Sequence, residues 1–408
     1  MPETVFLTGA TGFVGMAMLA RLVERNRRVV CLVRAGSQAE ADARLDSVMV
    51  SLLDAPGRHM GRVHAVAGDL TAPGLGMEPK TRDAIAEEVG EIVHGAASVA
   101  FDLPLAESRA INVEGTRQVL ELAEDCARRG KGLRRLTYVS TAYVAGDRKG
   151  VAAEHELDAG QGFRNTYEHS KHEAEALVRA HRQRLPITVV RPSIIVGERG
   201  TGWTASFNVI YGPLRTFASG GYPVLPGRRG GVIDVVTVDH VADATLALTA
   251  SPDAAGGTYH LVAGEQSSTV GELVDLAATR FEQPAPRLIP PRIYRKLVHP
   301  LMLRRSSPKV QRALRRSEIF FPYFSLPLRF DNARARELLE PAGVRATPIA
   351  EHFDAMVDFA EEARWGRNPI GRARAQSLAR GREHDPRQRR GNQALKRKRE
   401  RVRAGDRA

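Results

Sequence analysis

The run Tyr167-Glu168-His169-Ser170-Lys171 sets a phenol and an ammonium one helical turn apart, facing the same side of a helix. A nearby ammonium lowers a phenol from its usual pKa of ~10, so the pairing predicts proton exchange by Tyr167 near neutrality. Lysine is scarce in this chain, with eight among 60 basic residues, so Lys171 carries more weight in a motif than an arginine would. Just upstream, the strand-like run Tyr138-Val139 ends in Ser140-Thr141-Ala142-Tyr143-Val144. Hydroxyls at the carboxyl edge of a parallel strand point into the ligand crevice. Either Ser140 or Thr141 is therefore placed to hydrogen-bond a substrate carbonyl.

A second cluster suits a dinucleotide. Thr8-Gly9-Ala10-Thr11-Gly12-Phe13-Val14-Gly15 joins the first expected strand to the first expected helix. Its glycines allow a tight turn and a close backbone approach to a pyrophosphate, which then rests on the free N–H groups of the helix start. The second strand ends Cys31-Leu32-Val33-Arg34, where an Asp or Glu would grip the ribose 2′-hydroxyl of NAD. Neither acid is present, and Arg34 suits a 2′-phosphate, so NADP is favoured over NAD. The two cysteines, Cys31 and Cys126, have no metal-ligand spacing and read as small buried hydrophobes; no metal site is expected.

Positioning these groups requires a particular kind of sheet. Strand-like runs at 4–8, 28–33, 62–67, 91–94, 136–140 and 187–191 alternate with amphipathic stretches at 16–25, 106–129 and 166–184. That rhythm predicts an α/β fold, a Rossmann-type doubly wound parallel sheet. Residues 1–200 are expected to form the NADP-binding domain. Residues 201–365, rich in Gly and Pro and with helices at 269–281 and 349–363, are expected to form a smaller, interleaved substrate lobe. Beyond Trp365 the apolar periodicity stops, and a disordered Arg-rich tail is expected over 366–408.

The net charge of +13 is a property of parts of the chain. Residues 364–408 hold 16 basic and four acidic side chains, which leaves the remainder close to neutral. Residues 292–316 hold nine basic side chains and no acidic one, interleaved with Ile293, Leu297, Val298, Leu301, Met302 and Leu303. Two readings of this segment stand: a surface helical hairpin, or a basic amphipathic element touching anionic lipid or an acidic carrier. No apolar run reaches the ~18–20 residues of a membrane span, and the start Met1-Pro2-Glu3 runs at once into a strand. A cytoplasmic protein is expected, with peripheral membrane contact as an option through 292–316. No specific nucleic acid is expected as a partner.

Several further motifs occur in order: Gly68-Asp69-Leu70, His94-Gly95-Ala96-Ala97, Asn112-Val113-Glu114-Gly115-Thr116 and Arg191-Pro192-Ser193. Together with the glycine loop, the Ser-Thr strand end and Tyr167/Lys171, they resemble the extended short-chain dehydrogenase/reductases over about the first 200 residues. Asn165–Lys171, Arg191–Gly197, Phe207–Leu214 and Phe321–Ser325 are most similar to the branch holding fatty acyl-CoA reductases (male-sterility type) and thioester reductase domains. This resemblance implies that Thr141, rather than Ser140, polarises the carbonyl. It further implies that Tyr167 donates the proton, that Lys171 orders the nicotinamide ribose and tunes Tyr167, and that Asn112 lines the site. The cofactor set it implies is Gly9, Thr11, Gly12, Phe13, Val14, Gly15, Arg34, Asp69, Leu70, Ala96, Lys171, Pro192 and Ile194. Asp69 and Leu70 would flank the adenine, and Pro192 to Ile194 would border the nicotinamide.

The expected activity is NADPH-dependent reduction of an acyl thioester to an aldehyde, with a second reduction to the alcohol as an open alternative. The thioester, on CoA or an acyl carrier protein, is expected to arrive in trans. One rival keeps the fold and changes the substrate: a nucleotide-sugar epimerase/dehydratase or a hydroxysteroid-type dehydrogenase. A rival from another class is a non-catalytic NADP-binding regulatory or scaffolding protein.

Overall fold

Seven short runs rich in β-branched residues lie side by side: β1 (Thr4–Thr8), β2 (Val29–Arg34), β3 (Val63–Gly68), β4 (Val89–His94), β5 (Arg135–Val139), β6 (Ile187–Pro192) and β7 (Thr258–Leu261). In the computed structural model, residues 3–384 are described apart from 60, 208, 221–223, 306–310, 312–314 and 316–317. The sheet runs β7-β6-β5-β4-β1-β2-β3, and every neighbouring pair is parallel. The chain enters at the centre, builds outward to β3, then crosses to the other side of β1 at β4. Thr8 and His94, the last residues of β1 and β4, stand in register at this reversal. Ligands of open parallel sheets bind at the carboxyl ends of the strands beside such a switch point.

Helices α1 (Phe13–Glu24), α2 (Gln38–Leu52), α3 (Pro79–Glu88), α4 (Leu105–Arg109), α5 (Gly115–Arg128) and α6 (Thr166–Ala180) connect the strands. Phe6, Ile92, Leu136 and Val189 of the strands bury against Leu120, Val119 and Val178 of α5 and α6. Cys31 and Cys126 are free thiols in this core, and burial pushes each up to about 12. The single helix expected over 106–129 is interrupted: Ala110–Glu114 forms a π-helical turn between α4 and α5. Helices α2 and α3 carry no clear apolar stripe in their sequence.

The chain divides into two compact units. One holds the residues up to Ile195 together with Val236–Glu265 and Phe330–Ala346. The other holds Val196–Val235, Gln266–Arg329 and the chain from Thr347 onward. In the second unit, the helices Tyr211–Ala218, Val270–Phe281 and Ile349–Glu362 accompany a parallel pair of strands, Val224–Pro226 with Arg287–Ile289. A capping box between Thr269 and Glu272 starts Val270–Phe281, and Arg280 near its end bonds Asp358 at 2.9 Å and Glu361 at 2.8 Å. This unit contains a concavity of about 560 Å³ whose lining is entirely apolar, including Leu214, Phe217, Leu225, Val274, Leu288 and Phe324.

The expectation of disorder from residue 366 is corrected at Arg372–His384, which is helical. Its first residue is buried, with Arg372 Nε 2.9 Å from Glu198 Oε1 and Arg382 paired with Asp358, so ion pairs and the burial of Ala375 tie down a stretch whose composition is otherwise polar. Residues 385–408 lie outside the described residues, as does Asn208 of the 207–214 motif. Within 292–316, residues up to Arg305 are helical: Pro291–Ile293, a π turn at Tyr294–Val298, and His299–Arg305. The remainder of that segment is almost wholly outside the described residues, so a hairpin is not traced.

Candidate active site

The glycine loop is shaped by contact. Gly9 has φ of +81°, and a Cβ there would lie 2.8 Å from Ala96 N; a Cβ on Gly15 would lie 1.9 Å from Gly9 O. Gly12 is the N-cap of α1 and supplies no side-chain cap to the first turn of the helix, the end that favours an anion. Gly9, Thr11, Gly12, Arg34, Asp69, Leu70 and Ala96 all line one groove of about 860 Å³ at the strand ends, with Thr8, Leu32, Thr71 and Arg44. Phe13, Val14 and Gly15 sit in the next turn of α1, outside that lining, as do Lys171, Pro192 and Ile194. Asp69 is held by Thr71, whose backbone N–H and hydroxyl both donate to Oδ1 at 2.8 Å.

Arg44, on α2, was not singled out from the sequence. Its guanidinium hydrogen-bonds the carbonyl oxygen of Arg34, and both arginines line the groove. In a chain this rich in arginine, nothing distinguished Arg44 until α2 brought it there. The groove fits a dinucleotide: its glycines leave backbone bare, a helix start faces it, and no acid stands at the end of β2.

The catalytic candidates converge beyond the end of β5. Asn165 caps α6, accepting from Glu168 N at 2.9 Å, which places Tyr167 in the first turn and Lys171 one turn later. The Thr141 hydroxyl stands beside the Tyr167 phenol, close enough to oppose the rise that burial gives it. The Thr141 hydroxyl also lies 3.4 Å from Pro192 O and accepts from Tyr143 N at 3.3 Å. Ser140, by contrast, turns away and donates to Glu175 Oε2 at 2.7 Å. Of the two hydroxyls, Thr141 is therefore the one that meets Tyr167.

One expectation is corrected here. Burial pushes the Tyr167 phenol up to about 12, with the Thr141 hydroxyl opposing, so it stays protonated near neutrality. The Lys171 ammonium does not lower it, because Lys171 Nζ is bonded to Tyr138 Oη at 2.7 Å and Val139 O at 2.8 Å. Burial brings Lys171 itself down to about 7, against the opposing field of Glu175. Burial would raise Glu175, but Arg191 grips it at 2.9 and 2.7 Å and holds it at about 2.

Asn112 lies in the π turn, buried, with both ends of its amide in use. Nδ2 donates to Ser170 Oγ at 2.9 Å and Ser98 O at 3.1 Å, and Oδ1 accepts from Ser98 N at 2.8 Å. The residue thus ties the loop after β4 to the turn of α6 that carries Tyr167. Ile194 is buried in the short strand Ile194–Val196.

A glycine-loop helix start at the switch point, with Tyr167, Lys171 and Thr141 at the neighbouring strand end, defines an NAD(P)-binding protein of the extended short-chain dehydrogenase/reductase type. Residues 7–245 match the NAD-binding family described as Male sterility protein, and the chain belongs to that family. It is 30% identical over 278 residues to fatty acyl-CoA reductase wat of Drosophila melanogaster, covering 60% of this chain and 53% of that protein. It is 32% identical over 296 residues to a carboxylic acid reductase of Mycobacterium tuberculosis, covering 64% of this chain and 24% of that one. The chain thus spans about half, or less, of these curated relatives. Among solved structures, the terminal R domain of the myxalamid PKS-NRPS pathway superposes with a TM-score of 0.77 at 28% identity, covering 90% of this chain and 92% of that domain. A thiolation-reductase di-domain from an archaeal non-ribosomal peptide synthetase shares the fold, with a TM-score of 0.71 at 19% identity and coverage of 90% and 76%.

Proposed function

We propose that the chain is an NADPH-dependent reductase of an acyl thioester, carried on CoA or on an acyl carrier protein, yielding an aldehyde and a free thiol. The observation that carries this reading is the Thr141–Tyr167 hydroxyl pair, with Tyr167 held protonated, beside a groove suited to a dinucleotide. When bound, the reduced nicotinamide supplies the hydride that turns a thioester into an aldehyde and a free thiol. Gly9, Gly12 and the start of α1 hold the pyrophosphate; Arg34 and Arg44 hold the 2′-phosphate. Thr141 and Tyr167 donate to the thioester oxygen and stabilise the negative charge that develops on it. Tyr167 gives that oxygen its proton, and Lys171 orders the ribose.

The relatives named fatty acyl-CoA reductase and carboxylic acid reductase support the thioester class. The wholly apolar concavity of the second unit supports an acyl chain, because its lining offers hydrocarbon contact and no hydrogen bond. We further propose that the exposed basic helix at 291–305 meets an anionic membrane surface. No helix among the described residues is long and apolar enough to cross one.

The test is NADPH oxidation and thiol release with a panel of acyl-CoAs from medium to long chains. Turnover is expected, and Tyr167→Phe is expected to lower kcat/KM by about 10²–10⁴-fold, the usual scale of a lost general acid. Absence of turnover across the panel would overturn the substrate class. Near-normal turnover by Tyr167→Phe would overturn its role, and tightly held NAD co-purifying with the chain would favour a nucleotide-sugar enzyme.

A further inference from the structure

Lys171 is held by a residue to which the reaction assigns no role, Tyr138 on β5. Its ammonium donates to Tyr138 Oη at 2.7 Å and lies 4.3 Å from the ring centroid. Thr116 neighbours the Tyr138 phenol and opposes the rise that burial gives it, and the Thr116 hydroxyl lies 2.6 Å from Asn112 O and 3.1 Å from His94 Nε2. His94 Nδ1 lies 2.7 Å from Thr8 Oγ1, which accepts from Ala96 N at 3.2 Å. Thr8, His94, Thr116, Tyr138 and Lys171 are all buried.

The donors along this chain can be ordered in only one way. Lys171 has no acceptor, so Tyr138 Oη accepts, which leaves its own hydrogen to point toward the neighbouring Thr116. Thr116 spends its single hydrogen on the carbonyl of Asn112, and so accepts from His94 Nε2–H. His94 is then the Nε2–H tautomer, and its Nδ1 accepts from Thr8. These buried groups stand in a row from the lysine to Thr8 and Ala96 in the wall of the dinucleotide groove.

We propose that Tyr138 is a positioning residue that fixes the Lys171 ammonium and couples it, through Thr116, His94 and Thr8, to the loop that receives the cofactor. Two of the three Lys171 N–H bonds are pinned by Tyr138 and Val139 O, which leaves one for a ribose hydroxyl. The other ionisable groups around Lys171 hold a fixed charge near neutrality. His94 on β4 is neutral, lowered to about 3 by burial; Tyr167 on α6 is protonated; Glu175 on α6 is ionised and paired with Arg191 on β6. The titration of Lys171 therefore reports its own hydrogen bonds. The link to ribose binding rests on the proposed reductase reading, whereas the hydrogen-bond chain does not.

The experiment labels the cofactor-free protein with ¹³C-lysine; with eight lysines, the Lys171 signal is assigned by loss in Lys171→Arg. In Tyr138→Phe the Lys171 midpoint should fall by about one pH unit or more, because a hydrogen bond to the charged form is lost. Thr116→Val, which keeps the lysine–phenol contact but removes the phenol's acceptor, should give a smaller fall of the same sign. It carries the test if the phenylalanine variant does not fold. The basic limb of kcat/KM for NADPH should move down with the midpoint in Tyr138→Phe, with KM for NADPH raised more than kcat is lowered. Lys171 midpoints that coincide in the wild type and both variants would overturn the proposal and leave Tyr138 as packing. A wild type that reduces no thioester would overturn the reductase reading while leaving the titration comparison intact.

Discussion

Ser140 and Thr141 are neighbours at one strand end, yet the fold sends their hydroxyls to different partners. Ser140 closes the buried Glu175–Arg191 pair and Thr141 meets Tyr167. The sequence left the two open, because alternation along a strand breaks down where the chain turns. Tyr167, Lys171 and the glycine loop were legible because their spacing is local, within one turn of helix or one tight loop. Arg44 was not, since its value depends on α2 bringing it to Arg34. This pair makes a prediction about the cofactor. Arg34→Ser or Arg44→Ser should each lower kcat/KM with NADPH by about 10-fold or more, the scale of one charge-assisted hydrogen bond. Values with NADH should change far less, because NAD has no 2′-phosphate. Steady-state kinetics with both cofactors checks this, and an unchanged NADPH/NADH ratio in both variants would remove the arginines from recognition.

The elements were read from periods, and periods fail where two influences compete. The strands of the sheet's middle are buried on both faces and appear as plain apolar runs, so six of the seven were visible; β7 lies far along the chain, after a long irregular stretch. The π turn at Ala110–Glu114 cannot be seen in a helical pattern, because it inserts one residue into an otherwise continuous stripe. Helix α6 shows how an element is secured at its core end. Glu175 on its inner face is fully buried and binds Arg191 on β6, Arg179 one turn on, and Ser140. Its carboxyl sits at about 2, below the ordinary carboxylate range, despite burial. The stabilisation is therefore complete above the ordinary range and lost as pH falls through it toward 2. Glu175→Gln would leave the buried Arg191 without its counter-charge, at a cost of about 3–5 kcal/mol. Thermal or denaturant unfolding near neutrality should show that loss, and the variant should lose less stability than the wild type on acidification. Equal stability at neutral pH would mean that the pair merely fills space.

At the scale of the whole chain, the charge of +13 is unevenly placed, and the placement predicts where an anionic surface would be met. The described part of the basic stretch, Pro291–Arg305, buries Tyr294 and His299 against Phe321 and presents its other side to solvent. Ile293, Leu297 and Leu301 are 48%, 64% and 47% exposed, three of the six large apolar side chains that are exposed among the described residues. They recur every fourth residue, and the wide π turn at Tyr294–Val298 keeps that spacing in line along one face. Arg292, Arg295, Lys296 and Arg304 are exposed around them, and no acidic residue interrupts 292–316. Aliphatic side chains flanked by cations match the boundary between anionic headgroups and acyl chains, where both are lowered in free energy together. The full-length protein should therefore float with vesicles of mixed phosphatidylcholine and phosphatidylglycerol, and much less with phosphatidylcholine alone. Leu297→Glu with Leu301→Glu should abolish flotation while leaving NADPH oxidation within about twofold. Deleting 385–408, which removes ten basic residues but none of the stripe, separates the two sources of charge. If the helix carries the contact, the deletion weakens binding only at low salt, since a purely coulombic tail is screened as salt rises. Flotation that survives the glutamate substitutions but disappears with the tail would move the contact away from this helix. An acidic carrier protein bound in place of vesicles would show that the stripe receives a macromolecular substrate instead.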